Sequence, residues 1–276
     1  MSILTIHPPT DIIDKLFTKN LKNIFYVFNK YGFEVRIVGG AIRDFLMKGA
    51  WRDIDIAVGC TPTEIEYISQ YELNSINKVA IPGIAHGTVT VYFNPPDATE
   101  TKVESEDELE SYEITALDFS IKIKGNKLVQ TQNADWETDM RRRDFTVNAL
   151  SMDKDGKIYD YLGSYRDLKL QKIKFINDYR RVITEDPLLI LRFFKILGKF
   201  ERPKYDEEIL DFIAKNKGIL KEIKLDTRKW FMGNIQSQPF GDDAISLMKD
   251  IGIDTEEIVS EEAAFQEYFK KIELFA

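Results

Sequence analysis

A chain of 276 residues, 43% hydrophobic and 30% charged, has the make-up of a globular protein with one large or two modest domains. A formal net charge of −8 argues against indiscriminate nucleic-acid binding, a single cysteine (Cys60) excludes an internal disulfide, and two histidines (His7 and His86) argue against a His/Cys metal cage. Any metal must then be held by oxygen, and because no apolar run nears the roughly 20 residues of a membrane span and the opening MSILTIHPPTDIID lacks targeting character, the cytoplasm is the expected compartment.

Residues 11–31 place Ile12, Ile13, Leu16, Phe17, Leu21, Ile24, Phe25 and Phe28 at three-four spacing, which predicts an amphipathic helix or a helix pair. Residues 34–38 alternate into a strand closed by Gly39 and Gly40, and a short helix follows over 41–47. The next strand is expected at 53–58, and Pro62 opens a helix reaching about Tyr71. Strands are predicted at 75–81, 87–93 and 112–123, with 94–110 as an acidic loop. Residues 133–150 have no strand period and are expected to pack a helix beneath the sheet, before a hairpin over 151–159. Helices are predicted at about 179–200, 205–216, 225–236, 241–250 and 257–274. A mixed sheet followed by helices implies two domains joined near 151–178.

Charge is unevenly spread. From 97 to 113 eight acids stand against one base, Lys102, whereas from 165 to 204 eleven bases stand against five acids. Either run could be a solvated face, or the second could meet a polyanion; charge alone does not decide.

The chemistry concentrates in residues 35–58, VRIVGGAIRDFLMKGAWRDIDIAV. Glycines after a strand let the backbone approach a ligand, and phosphate is the natural guest, with Arg43 one turn into the helix able to reach it. A tight turn beside a surface Arg-Asp pair would explain GG-x-x-RD as well. Asp53 and Asp55, one residue apart on the next strand, change that balance. They project on one face, and paired carboxylates are costly to hold unless a cation neutralises them. Two-metal phosphoryl transfer wants a third carboxylate on a neighbouring strand, and Glu113 fits that place. His86 reads as a turn or packing residue.

Taken in order, VGGAIRD, RDIDIA, YEIT, RRRDFTVNAL, DYLGSYRDL with KIKFI, and EDPLLILRFFK resemble the motifs of the class II tRNA nucleotidyltransferases, the CCA-adding enzymes and related bacterial poly(A) polymerases. The resemblance spans residues 20–235 or so. It implies an α+β fold: a nucleotidyltransferase head with a mixed sheet, like the DNA polymerase β palm, over 1–150, an all-helical neck reading base and RNA over 151–236, and a short helical remnant of body and tail over 237–276. It also implies Mg²⁺ on Asp53 and Asp55, with Glu113 beside them. Gly40 and Arg43, next to Gly39, would meet the triphosphate, while Arg143, Asp144 and Asn148 would lie near its ribose and phosphates. Asp160, Gly163 and Asp167 match the family hinge, although both acids suit helix caps equally.

In the family, the last motif has an aspartate and an arginine that read the Watson–Crick edge of the incoming base. Here Asp186, Arg192 and Lys195 are in place, but Leu189 replaces that arginine. The missing charge-assisted bond corresponds to roughly 1.5–3 kcal/mol of base selectivity. Spacing of three predicts Asp186, Leu189 and Arg192 on one helical face. Further departures are Asp118, where relatives often carry arginine, Thr227 in place of an acid before Arg228, and an end at Ala276 that leaves little room for body and tail helices. The implied activity is nucleotide transfer from ATP or CTP to an RNA 3′ hydroxyl, first of all the tRNA 3′ end, with no membrane involvement. A protein partner or a homo-oligomer stays open. The alternatives are a relaxed, ATP-preferring terminal transferase of the poly(A) polymerase type and a non-catalytic RNA-binding protein on the same fold.

Overall fold

The computed structural model describes residues 3–8, 13, 15–47, 54–81, 87–94, 109–117, 119–124, 127–132 and 135–256. The chain divides into a first unit of Met1–Arg143 with Val147–Tyr165 and a second of Asp144–Thr146 with Arg166–Ala276. Among the described residues, no helix is long and apolar enough to cross a membrane.

The first unit grows around strand β2 (Val35–Val38), whose four residues are all buried. Its sheet contains β1 (Leu4–Ile6), β3 (Ile54–Val58), β4 (Ile76–Ala80), β5 (Thr88–Phe93), β6 (Glu110–Ala116), β9 (Leu150–Met152) and β10 (Ile158–Asp160) besides β2, in the order β1-β10-β9-β2-β3-β6-β5-β4. Neighbours pair antiparallel except β3 and β6, which run parallel. Helix α1 (Lys19–Lys30) buries Leu21, Ile24, Phe25 and Phe28 against this core. The helical stretch predicted over 11–31 is interrupted before Thr18, whose hydroxyl caps α1 by accepting from the Leu21 N–H at 3.1 Å. Helix α2 (Gly40–Leu46) follows the glycine pair. Helix α3 (Pro62–Tyr71) starts on a capping box between Thr61 and Glu64, with Pro62 at its first position.

Several expectations need correction. The single strand expected over 112–123 is two, because β6 ends at Ala116 and β7 (Phe119–Lys124) leaves the main sheet to pair with β8 (Lys127–Gln132). Residues 133–150 hold a six-residue helix α4 (Trp136–Arg141), a 3-10 turn (Thr146–Asn148) and the start of β9. The 151–159 hairpin exists as β9 and β10 and belongs to the main sheet, so the first unit runs to Tyr165 instead of ending at 150. Asp53, His86, Asp118, the acidic run 97–108 and the predicted 257–274 helix lie outside the described residues.

Helix α4 is tied to the sheet by one buried cation. Arg36, 5% exposed, lies between the rings of Trp136 and Tyr159, with its guanidinium carbon 4.2 and 3.8 Å from their centroids. It donates to Glu34 at 2.7 and 2.8 Å, to the Ser151 hydroxyl at 3.2 Å and to the Tyr161 hydroxyl at 3.0 Å. Trp136 Nε1 donates to the other Glu34 oxygen at 2.8 Å.

Helix α5 (Ser164–Lys169) carries the chain into the second unit, which holds α6 (Tyr179–Glu185), α7 (Leu188–Leu197), α8 (Glu207–Asn216), α9 (Leu225–Gln236) and α10 (Gly241–Asp250). The predicted 179–200 helix is split at Asp186-Pro187. A residue before proline is disfavoured in helical conformation, and Asp186 is extended, at φ −137° and ψ 92°. Helix α10 packs on α7 and α9 within the second unit. Phe145, Phe175 and Phe193 form an aromatic cluster, with centroids 4.6, 6.1 and 6.4 Å apart.

Replacing Arg36 with Met is expected to destabilise the first unit by about 2–4 kcal/mol, through the lost cation–π contacts and orphaned hydroxyls. Urea unfolding followed by tryptophan fluorescence measures this.

Candidate active site

The parallel register sets Asp55 directly beside Glu113, so the two carboxylates stand on one face of neighbouring strands. Glu113 is exposed and Asp55 half-buried. On the other side of β3, Asp55 pairs with Val38, the residue before Gly39. Gly39 has φ +77° and ψ −139°, which an L side chain rarely adopts. A Cβ there would lie 3.3 Å from both Asp55 Oδ2 and Arg143 Nη1, so an anion and a cation crowd the glycine from two elements.

Helix α2 supplies Arg43, 5% exposed, which donates from Nη1 to Asn148 Oδ1 and from Nε to Asp44 at 2.9 Å. A Cβ on Gly40 would meet Arg43 Nη2 at 3.2 Å. Arg143 is held from below by Asp139, a residue the sequence reading missed. Arg143 Nη2 donates to Asp139 Oδ2 at 3.0 Å and Arg142 Nε to Oδ1 at 2.8 Å. Burial pushes the Asp139 carboxyl up, but the two guanidiniums more than offset this and hold it below its ordinary value. The signal was available: in WETDMRRRD, Asp139 stands three and four residues before Arg142 and Arg143, on the same helical face. The Nε of Arg143 is buried and has no hydrogen-bond acceptor among the described residues. The first unit therefore gathers Gly39, Gly40, Arg43, Asp55, Glu113, Arg143 and Asn148. Asp55 and Glu113 form an oxygen-only donor pair that suits a hard divalent cation.

Asp144 falls in the second unit, where its Oδ2 lies 2.9 Å from Arg192 Nη2 and its Oδ1 accepts from the Phe145 N–H at 2.7 Å. Asp186 is exposed and caps the start of α7 by accepting from the Leu188 N–H at 3.1 Å. The expected single face is not formed. Helix α7 buries Leu189 together with Ile190, Leu191, Phe193, Phe194, Ile196 and Leu197, so its accessible stripe is Leu188, Arg192 and Lys195, and Leu189 joins the core at 7% exposure. Lys195 Nζ lies 5.3 Å from the Trp230 ring centroid and 5.9 Å from that of Phe231. Arg228, 1% exposed on α9, has its Nε and Nη1 without acceptors among the described residues. Asp160 caps α5, accepting from the N–H groups of Leu162, Ser164 and Tyr165 at 2.9–3.1 Å, while Asp167 accepts from the Thr146 hydroxyl at 2.8 Å.

Because its value is depressed in the folded state, Asp139 contributes stability fully above about pH 4, its unfolded value, and loses that contribution as pH falls through its lower folded value. Asp139→Asn is expected to cost about 2–4 kcal/mol at neutral pH and to flatten this acid-side slope, read from urea midpoints between pH 3 and 7. Gly39→Ala is expected to lower stability by roughly 1–2 kcal/mol and to reduce activity far more, since the strained backbone displaces Asp55 or Arg143. Circular dichroism and initial-rate assays on the same preparation separate the two effects.

The family described as Poly A polymerase head domain matches residues 35–174. CCA tRNA nucleotidyltransferase 1, mitochondrial, of Danio rerio is 32% identical over 240 residues, covering 84% of this chain and 52% of the relative. The CCA-adding enzyme of Geobacillus sp. (strain WCH70) is 29% identical over 230 residues, covering 83% of this chain and 52% of the relative. The chain thus spans about half the length of these curated relatives. Among solved structures, the Bacillus stearothermophilus CCA-adding enzyme in complex with CTP superposes with a TM-score of 0.66 at 22% identity, over 89% of this chain and 57% of that one. The Thermotoga maritima CCA-adding enzyme complexed with tRNA gives 0.64 at 21% identity, over 92% and 55%. These likenesses establish the same fold. With the family matched from the strand before the glycine pair to the start of the helical unit, the chain belongs to the nucleotidyltransferase family of the poly(A) polymerases and CCA-adding enzymes.

Proposed function

We propose that the chain transfers nucleoside monophosphates from ATP or CTP to the 3′ hydroxyl of an RNA, first of all the 3′ end of tRNA, with release of pyrophosphate. The observation that carries this is the register of Asp55 beside Glu113, next to a glycine crowded by Arg143. Support comes from solved relatives that hold CTP, ATP or tRNA.

Asp55 and Glu113, with Asp53 from outside the described residues, would hold Mg²⁺, which when bound lowers the pKa of the acceptor hydroxyl and draws charge from the phosphates. Gly39 and Gly40 admit the triphosphate close to the backbone. Arg43, steadied by Asn148, and Arg143, steadied by Asp139, neutralise its oxygens. The acceptor O3′ bonds to the α-phosphorus as the bond to the bridging oxygen breaks, and Glu113, the exposed carboxylate, takes the hydroxyl proton. Within the second unit, Asp186 is an exposed acceptor of the kind that suits the exocyclic amine of adenine or cytosine, and Arg192, held by Asp144, is an exposed cation on α7.

Asp53→Ala with Asp55→Ala is expected to abolish incorporation of labelled ATP into tRNA lacking its 3′ end, and Glu113→Ala to lower it by about two orders of magnitude or more. Incorporation at the wild-type rate by the double variant overturns the proposal. Leu189 favours a second reading, a relaxed or ATP-preferring terminal transferase, because an apolar residue buried at that position leaves no donor there for adenine N1 or cytosine N3. Sequencing tRNA 3′ ends after incubation with each nucleotide alone separates the two: ordered C and A additions support the first, adenosine runs the second.

A further inference from the structure

Helices α7 and α9 run side by side in the second unit. Lys195 on α7 meets Trp230 and Phe231 on α9, while Gly198 just beyond α7 meets Gln238 and accepts from the Phe240 N–H, so the two helices advance in the same direction. Their accessible residues therefore form one surface. From α7 come Arg192 and Lys195, and from α9 come Lys229, Trp230 and Gly233, with Asp226 one turn earlier as the acid.

Trp230 is the unusual member. Its side chain is 56% exposed, and its ring is held edge-on against buried Phe231 at 4.8 Å and 77°. An indole on the surface, fixed in orientation and with an ammonium beside it, offers a ready stacking platform. The cations around it favour an anion: Lys195 Nζ lies 5.3 Å from the Trp230 centroid, and Arg192 and Lys229 are exposed on the same two helices.

We propose that this surface binds RNA, stacking one unpaired base on the Trp230 indole while Lys195 and Lys229 meet the flanking phosphates. Every base has a π-face, so the contact tolerates any sequence, and the cations supply the backbone attraction. A protein partner is the poorer fit, because Trp230 is bordered by Lys229, Gly233 and Asp226 instead of further apolar side chains. The proposal rests on the reading that RNA is the acceptor and adds where and by what chemistry it is gripped.

The test measures binding of a fluorescein-labelled 12-nucleotide oligoadenylate by the full chain, without nucleotide or metal, in parallel with ATP binding. Trp230→Leu is expected to weaken RNA binding about tenfold or more, and Trp230→Phe, which keeps a stacking face, to lose much less. Lys229→Gln is expected to lower the slope of log Kd against log salt by nearly one. ATP binding stays unchanged in all three. RNA affinity within twofold of wild type for Trp230→Leu, or equal losses for Trp230→Leu and Trp230→Phe, overturns the proposal, and an unchanged salt slope in Lys229→Gln overturns it independently should Trp230→Leu fail to fold. Aggregation or self-association relieved by Trp230→Leu with unchanged RNA affinity marks a protein contact and overturns it too. The reading of transfer is judged separately by ATP incorporation: binding lost on Trp230→Leu without any wild-type incorporation upholds this surface and removes the enzyme assignment.

Discussion

Two carboxylates side by side on parallel strands set the terms for the first unit. Like charges a few ångströms apart repel, and Asp55 and Glu113 remain together because the register of β3 and β6 leaves them no alternative. The surrounding elements manage that charge. Buried Arg36 clamps Trp136 at the start of α4, α4 then presents Asp139, Asp139 holds Arg143, and Arg143 reaches the edge of Gly39 opposite Asp55. The links from Arg36 to Trp136 and from Asp139 to Arg143 are a cation–π contact and an ion pair within one unit, and the last is close approach. Loosening the first link would therefore be felt at the last, although Arg36 touches neither carboxylate.

Arg143 and Asp144 are neighbours in sequence and belong to different units. Each is fixed within its own: Arg143 by Asp139, Asp144 by Arg192. The next two residues are equally tied, Phe145 by Phe175 and Phe193, and Thr146 by the Lys174 carbonyl and Asp167. A motif that reads in sequence as one binding element, RRRDFTVNAL, is therefore split in role. Its arginine stands beside Gly39 in the first unit, whereas its aspartate braces the helix that carries Arg192 in the second.

The strands of the candidate site were legible because their signals are local: Gly39 and Gly40 mark a turn, and the alternation through 54–58 marks a strand. Glu113 was expected from the need for a third carboxylate, and the register sets it beside Asp55. Helices expected at 225–236 and 241–250 are found with those bounds. What failed was non-local or masked by a competing signal. Strand β1 has three residues, too few for a period to show, and pairs with β10 from the far end of the unit. Strand β8 follows Gly125-Asn126, a hairpin signal in the sequence that competes with one continuous strand. The break at Asp186-Pro187 was written plainly in the proline, yet the apolar run on both sides suggested one helix. Asp139 escaped because a carboxylate among arginines looks like a solvated pair until its burial is known.

Helix α7 carries the leucine at position 189. Helix α7 is apolar on all sides but the Leu188, Arg192 and Lys195 stripe, and position 189 lies just inside its buried edge. An arginine there must keep its charge near water or find a partner, at a desolvation cost, whereas a buried leucine contributes about 1.5–3 kcal/mol to the core. That gain is similar in size to the selectivity a charge-assisted bond to the base would supply, roughly 1.5–3 kcal/mol. Leucine at 189 thus favours the core of the second unit over a charge held at the edge of α7.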